Sequence, residues 1–477
     1  MTIYNSLSGE KEDFDKILGG RKKIRLFVCG PTVFDYIHIG NARTFLIYDI
    51  FTRYLRSIGV KVFNLQNITD IDDKIIKRAR ETNITPKAIA LKFEKAYKDD
   101  IKKLGIDTVT KYAPATKYIK QIVKQIKTLI QKGHAYKIEG DGYYFDLSTF
   151  PEYGKLSKRT TLQAEDAVSR IDESVNKRNK GDFALWKFSK PGEPYWNNEL
   201  GRGRPGWHIE DTAITDYYFG PQYDIHGGAI ELKFPHHEAE IAQQESASGK
   251  KPLVKIWMHA GILLVNGQKM SKSLGNFISV RDYLEKRSVN ILRYIVASHH
   301  YRSPIDYNEQ MTIDAQNALA GIQEFLAKLS LAMKRKSIWG HRKSTGLTMS
   351  ETLTTYQSKF TAAMDDDFNT PEALAVIFNL INEINPKIWS LDKKEVKLIV
   401  KWLNEKLKIF KIAVKLPKIP LKIRRLAKGR ELLRANQQFI QADPLRKQIE
   451  SLGYKVEDTP VGPLVLEKSK IQNPKSK

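Results

Sequence analysis

Three short stretches hold the side chains with the most chemistry to offer. FVCGPTVFDYIHIG, residues 27–40, carries the only cysteine, Cys29, at the end of an apolar run, nine residues before His38. His38-Ile39-Gly40-Asn41 sets a ring donor beside a glycine. Where a strand gives way to a helix, such a turn suits a phosphate, because helix N-termini present free N–H groups and glycine admits close approach. Far downstream, Lys269-Met270-Ser271-Lys272-Ser273 precedes Leu-Gly-Asn. Two lysines among serines and a glycine suit a loop that closes on a polyphosphate. Each stretch also has a plain reading: Cys29 as a small buried hydrophobe, the histidine stretch as a capping turn, the lysines as a solvated basic turn. The two phosphate-type stretches, in this order, strengthen each other; Cys29 stays open on residue type alone.

The elements that must position these residues read as follows. KIRLFVCG (23–30) is a short β-rich run ending in Gly-Pro, a buried strand. ARTFLIYDIFTRYLRSIG (42–59) has helical apolar spacing and a glycine stop, and VKVFNLQNIT (60–69) is a second strand. Strand, helix and strand in about fifty residues make a βαβ unit, and the expected fold is an α/β, doubly wound parallel sheet. Charged helices follow at about 85–104 and 115–133. The part from 134 to 205 is richer in Gly, Pro and aromatics and reads as an inserted subdomain. Strands return at YDIHGGAIEL (223–232) and KIWMHAGILLV (255–265). Beyond about 305 the pattern is amphipathic helices, a Pro-punctuated linker at 415–422, and a last helical stretch with a strand-like end. The expected boundaries are a catalytic domain over 1–305 with an insertion of about 115–205 and a loop at 269–273, an α-helical bundle over 306–414, a small C-terminal module over 420–467, and a basic disordered tail over 468–477.

A chain of 477 residues is too long for one ordinary domain. Its formal charge of +25 attracts polyanions, of which nucleic acid is the usual one; lysine spread over every surface is the alternative. One cysteine excludes an internal disulfide and points to a reducing, cytoplasmic setting. The N-terminus has no apolar signal core, and no apolar run is long enough to span a membrane.

The motifs CGPTVFDYIHIGNART, NITDIDDKIIKRA, GRPGWHIE, DIHGG, FPHHEAEIAQ, WMHAG, KMSKSLGNF and AMDDDFNTPEAL, in this order, resemble the cysteinyl-tRNA synthetase family of class I aminoacyl-tRNA synthetases. The likeness runs over about residues 2–467. It implies a Rossmann-like catalytic domain, ATP with Mg²⁺ and L-cysteine as substrates, tRNA(Cys) as partner, no membrane, and a monomer. Formation of an aminoacyl-adenylate would precede transfer to the terminal ribose of tRNA.

By the family pattern His38, Gly40 and Asn41 face the ATP phosphates, with Asn41 where the signature carries histidine. Lys272, helped by Lys269, neutralises the departing pyrophosphate. The resemblance also implies one Zn²⁺ per chain, on Cys29, position 211, His236 and Glu240. The last two stand four apart and would share a helix face. Position 211 breaks the pattern: Asp211 stands where the family has cysteine. Either the aspartate ligates in its place, keeping the ligand charge while making the site harder, or zinc is weak or missing. Gly30, Thr69, Trp207 and His226 are the implied contacts of substrate cysteine, with core packing the alternative for Trp207 and a strand-end bond for His226. His208 and His237 are not distinguishable from core histidines. Asp70, Asp72 and Asp73 fit a helix N-terminus better than a magnesium site. Basic segments 334–343 and 422–434 are expected to touch the tRNA backbone. Two other functions compete: a cysteine-activating ligase acting on an amino sugar, and a non-catalytic RNA-binding paralogue. Cysteine-dependent pyrophosphate exchange and then tRNA charging separate the three.

Overall fold

The computed structural model describes residues 1–159, 176–334 and 348–468. The central element is a five-stranded sheet built from β1 (Lys23–Val28), β2 (Lys61–Ile68), β3 (Lys111–Pro114), β4 (Tyr223–Ala229) and β5 (Val254–Ala260). Every pairing in it is parallel, in the order β5-β4-β1-β2-β3. A parallel sheet covered on both faces needs strands apolar on both sides. β2 meets this with six buried residues in eight, and β4 with six in seven. The strand order reverses where β1 lies beside β4, and a crevice opens there at the carboxyl ends of the strands.

Six helices matter to that crevice: α1 (Ile39–Ser57), α2 (Asp73–Thr82), α3 (Pro86–Lys103), α4 (Ile119–Gln131), α5 (Ile209–Phe219) and α6 (His236–Ser248). α1 begins three residues earlier than its apolar spacing predicts. His38 is its N-cap: His38 Nδ1 accepts from the Gly40 and Asn41 backbone N–H groups, and Asn41 Oδ1 accepts from the His38 N–H. The reciprocal box satisfies the first-turn donors and so extends the helix back to Ile39. Asp72 caps α2 by accepting from Lys74 N–H, and Asp70 accepts from Thr116, so two of the acidic cluster are tied up in local structure. Asp73, in the first turn, pairs with Arg204 and Lys187.

The segment between β3 and α5 contains a four-stranded antiparallel sheet of Ala135–Ile138, Gly142–Phe145, Phe183–Phe188 and Gly203–Pro205. The strand expected over 255–265 is two, Val254–Ala260 and Leu263–Val265, broken at Gly261. A Cβ at Gly261 would meet the Arg302 and Ser303 carbonyl oxygens, so the chain turns where two backbones touch.

The chain divides into two compact units. One comprises Met1–Val289, His299–Tyr307 and Asp365–Phe368, and contains the parallel sheet and the crevice. The other comprises Asn290–Ser298, Asn308–Met364 and the residues from Asn369 on. It is built on long helices, among them Glu309–Ala332, Thr370–Ile384 and Lys393–Phe410, and ends in the helices Leu421–Ala435 and Phe439–Ser451 with a hairpin of Tyr454–Glu457 and Leu464–Glu467. Most of the basic stretch 334–343 and nearly all of the 468–477 tail lie outside the described residues, whereas 422–434 is helical. No helix among the described residues is long and apolar enough to cross a membrane.

Candidate functional site

A cavity of about 750 Å³ occupies the crevice. Its wall includes Cys29, Gly30, His38, Asn41, Thr69 and Trp207, with Met270, Ser271 and Lys272 closing one side. The sheet supplies the floor. Cys29 follows the last residue of β1, and Thr69 follows β2. Gly30 has no room for a side chain, since a Cβ there would lie 1.9 Å from the Asn67 carbonyl oxygen. Its N–H instead donates to Asn67 Oδ1 at 2.5 Å, which binds the loop after β1 to the end of β2.

Cys29, Asp211 and His236 converge so closely that one donor atom from each lies within 4.8 Å of the others. Cys29 Sγ is 3.6 Å from Asp211 Oδ2, and His236 Nε2 is 3.0 Å from the same oxygen. Glu240, one turn along α6 from His236, brings Oε1 to 3.1 Å from that Nε2. A single ring nitrogen cannot direct its proton at both carboxylates. Glu240 Oε1 is accordingly left without a hydrogen-bond partner among the described residues, and Asp211 Oδ1 also has none, although both side chains are buried. Burial, then the charges of Asp211, Glu240 and Glu210, push the Cys29 thiol well above its ordinary value. Burial, then Asp211, does the same to the Glu240 carboxyl. Two orphaned carboxylate oxygens, a thiol and an imidazole nitrogen facing one point are a donor set that fits zinc, and a cation there would remove the penalty on every member.

Two more residues hold this set in place. His208 Nδ1 is 2.7 Å from His236 Nδ1, so the far nitrogen of His236 is engaged and the near one is directed at the carboxylates. Trp207 stacks on the His236 ring with centroids 4.5 Å apart and also faces the cavity. His226 does not line the cavity. It is fully buried behind Glu240, with Nδ1 3.4 Å from Glu240 Oε2 and 2.7 Å from the Tyr223 hydroxyl. His237 and His259 continue the array, 2.9 Å apart, and burial drives His208, His226, His237 and His259 toward the neutral form.

The opposite end of the cavity is cationic. Because His38 Nδ1 accepts two backbone N–H bonds, its proton sits on Nε2, and burial lowers its basicity further. Gly40 is also crowded by the protein itself: a Cβ there would lie 2.9 Å from the His38 ring and from Met270 Cε. Lys272 forms a close ion pair with Asp35 on the cavity wall. Lys269, in contrast, pairs with Glu231 at 2.7 Å and does not line the cavity. Asn276 ties down the loop, accepting from Ser271 N–H and donating to the Lys269 carbonyl. Lys74, Lys77 and Arg78, on one face of α2, add positive charge to the wall. Their motif, NITDIDDKIIKRA, was visible in the sequence, but the side of α2 that meets the cavity was not.

The chain matches the family described as "tRNA synthetases class I (C) catalytic domain" over residues 16–317, and the "DALR domain" over 359–413. It is 42% identical over 471 residues to the cysteine–tRNA ligase of Thermococcus gammatolerans, covering 96% of this chain and 98% of that one. It is 40% identical over 472 residues to the cysteine–tRNA ligase of Coxiella burnetii, covering 97% and 99%. Among solved structures, Mycobacterium tuberculosis methionyl-tRNA synthetase in complex with methionyl-adenylate superposes with a TM-score of 0.60 at 14% identity, over 82% of this chain and 90% of that one. That likeness is one of fold.

Proposed function

The chain belongs to the cysteine–tRNA ligase family of class I aminoacyl-tRNA synthetases, and from that premise we propose how its own residues carry the reaction: ATP-dependent activation of L-cysteine and transfer of the acyl group to tRNA(Cys). Cys29, Asp211, His236 and Glu240 hold one zinc ion per chain, which, when bound, would grip a substrate thiolate and leave the neutral hydroxyl of serine ungripped. Asp211 serves as ligand in place of a thiolate. Three anionic ligands and one imidazole keep the formal ligand charge, and the orphaned Asp211 Oδ1 and Glu240 Oε1 support that assignment.

Trp207 closes the side of the amino-acid pocket while fixing the His236 ring. Gly30 and Thr69 line its floor, and His226 acts from behind Glu240. His38 donates from Nε2 to a phosphate oxygen of ATP. The N-terminus of α1, at Gly40 and Asn41, adds the positive end of the helix dipole beside the phosphates. Lys272 leaves Asp35 to neutralise the pyrophosphate as it departs with Mg²⁺, and Lys269 assists from outside the wall. Stabilising charge as it builds on the phosphates, and holding the carboxylate in line with the α-phosphorus, are the main rate-raising effects available to this set. The basic helix over 422–434 faces the tRNA backbone. A cysteine ligand needs a reducing compartment, so the proposed setting is the cytoplasm, and the proposed working form is a monomer.

The observation that carries the reading is the convergence of Cys29, Asp211 and His236 on one point, with Cys29 lining the same cavity as His38 and Lys272. Cysteine-dependent ATP–pyrophosphate exchange, followed by charging of tRNA(Cys), tests it. Both activities are expected, with serine supporting little exchange. Exchange with transfer to an amino sugar but not to tRNA, or no exchange at all, would overturn it.

A further inference from the structure

Asp35 has two cations on one oxygen. It stands in the loop after β1 and lines the cavity, with its side chain 13% exposed. Its Oδ1 accepts from the Tyr36 N–H at 2.8 Å, which leaves Oδ2 for charged partners. Lys272 holds Oδ2 in a close ion pair, and Arg78 Nη2 stands 3.7 Å from the same atom. Lys272 comes from the loop at 269–273 and Arg78 from α2, so the two cations reach Asp35 from separate elements.

Arg78 is held back in this arrangement. It lies too far from Asp35 for a hydrogen bond, and its Nη1 is 3.6 Å from Glu81 Oε2. Its Nε is buried without a hydrogen-bond partner among the described residues. A guanidinium so placed has donors to spare. The need for them arises when ATP binds. Once Lys272 turns to the phosphates, Asp35 is left as a bare carboxylate on the wall of a cavity that holds a polyanion, and like charges so confined repel. A movement of about 1 Å brings Arg78 into a hydrogen-bonded ion pair with Oδ2.

We propose that Arg78 is a positioning residue that takes over Asp35 when Lys272 leaves it, so that the lysine reaches the nucleotide without setting an unpaired carboxylate beside it. This rests on the reading of Lys272 as the cation that neutralises pyrophosphate. Arg78 acts through Asp35 and not on the phosphates.

ATP–pyrophosphate exchange by the full-length protein, at varied ATP and at varied cysteine, is measured in a double-mutant cycle of Arg78→Gln and Asp35→Asn. With Asp35 present, Arg78→Gln is expected to raise KM for ATP about 10-fold, in the range for residues that share a partner. The exchange rate at saturation should stay within about 3-fold of native and KM for cysteine within about 2-fold, since only ATP binding is affected. Beside Asp35→Asn the same change should move KM for ATP by less than about 2-fold, because no carboxylate is left to neutralise. Arg78→Lys keeps the charge on a shorter reach. It should cost about 3-fold with Asp35 present and nothing beside Asp35→Asn, and it carries the cycle if Arg78→Gln does not fold. An equal rise in both backgrounds, as direct contact with the nucleotide would give, overturns the proposal and leaves the functional reading standing. So does no rise in either, or a rise in KM for cysteine as well, as a merely structural role would give. A native protein without cysteine-dependent exchange overturns both.

Discussion

Replacing Asp211 by asparagine should change stability in opposite directions with and without zinc. In the metal-free protein Asp211 is a fully buried carboxylate with one oxygen unpartnered and with Glu240 and Cys29 as close neighbours. Asparagine keeps an acceptor for His236 and Cys29 and turns the orphaned oxygen into an amide donor facing Glu240. Removing one unsatisfied buried acceptor is worth about 1–3 kcal/mol. The metal-free variant should therefore melt higher than the metal-free native protein, by roughly 2 °C per kcal/mol for a unit of this size. In the zinc-loaded protein the same change deletes an anionic ligand. Loss of an orienting partner alone costs about 10- to 100-fold in metal affinity, so loss of the ligand should cost at least that. Thermal unfolding in the presence of a chelator and again across a zinc titration measures both. A variant less stable than native under both conditions, or one with unchanged zinc affinity, would refute the reasoning, because Asp211 would then be a structural partner of His236 and not a ligand.

Other expectations follow from the same geometry. Lys272→Ala should lower the rate of pyrophosphate exchange by about 10²–10³-fold with little change in KM for cysteine, and Asp35→Asn, which frees Lys272 from its ion pair, should lower KM for ATP; a rise in that KM would contradict the pairing as a competitor of the nucleotide. Burial pushes His259 down to about 3. The folded state thus holds it neutral while the unfolded chain takes up a proton below about 6.5. Stability is present above that value and falls as pH drops from about 6.5 toward 3, by up to about 1.4 kcal/mol per pH unit for this one site. His259→Gln, retaining contacts to Ser6 and His237, should flatten the acid limb of a stability–pH profile, and an unchanged limb would count against the buried neutral histidine.

The parallel sheet and its crevice were legible because β1, α1 and β2 are short, apolar and consecutive, and their periodicities are local. The face shared by His236 and Glu240 was legible for the same reason, as four residues on a helix. What brings residue 29 to residue 211 is strand order and helix direction, and no local spacing encodes that; only the resemblance suggested it. Lys272 and Asp35 are 237 apart. His208 looked like a core histidine, and it is buried as one, but its ring faces His236. Gly40 was read through a ligand, and its close approach to the His38 ring was not read, because the capping role of that ring was not.

The account depends on sulfur being chosen by a metal held on Cys29, Asp211, His236 and Glu240. Zinc-edge X-ray absorption of the purified protein, before and after adding L-cysteine, tests this most directly. The expected first spectrum has one sulfur among nitrogen and oxygen neighbours, and the second has two. An unchanged sulfur count on adding cysteine, or a spectrum without sulfur at the start, would contradict it.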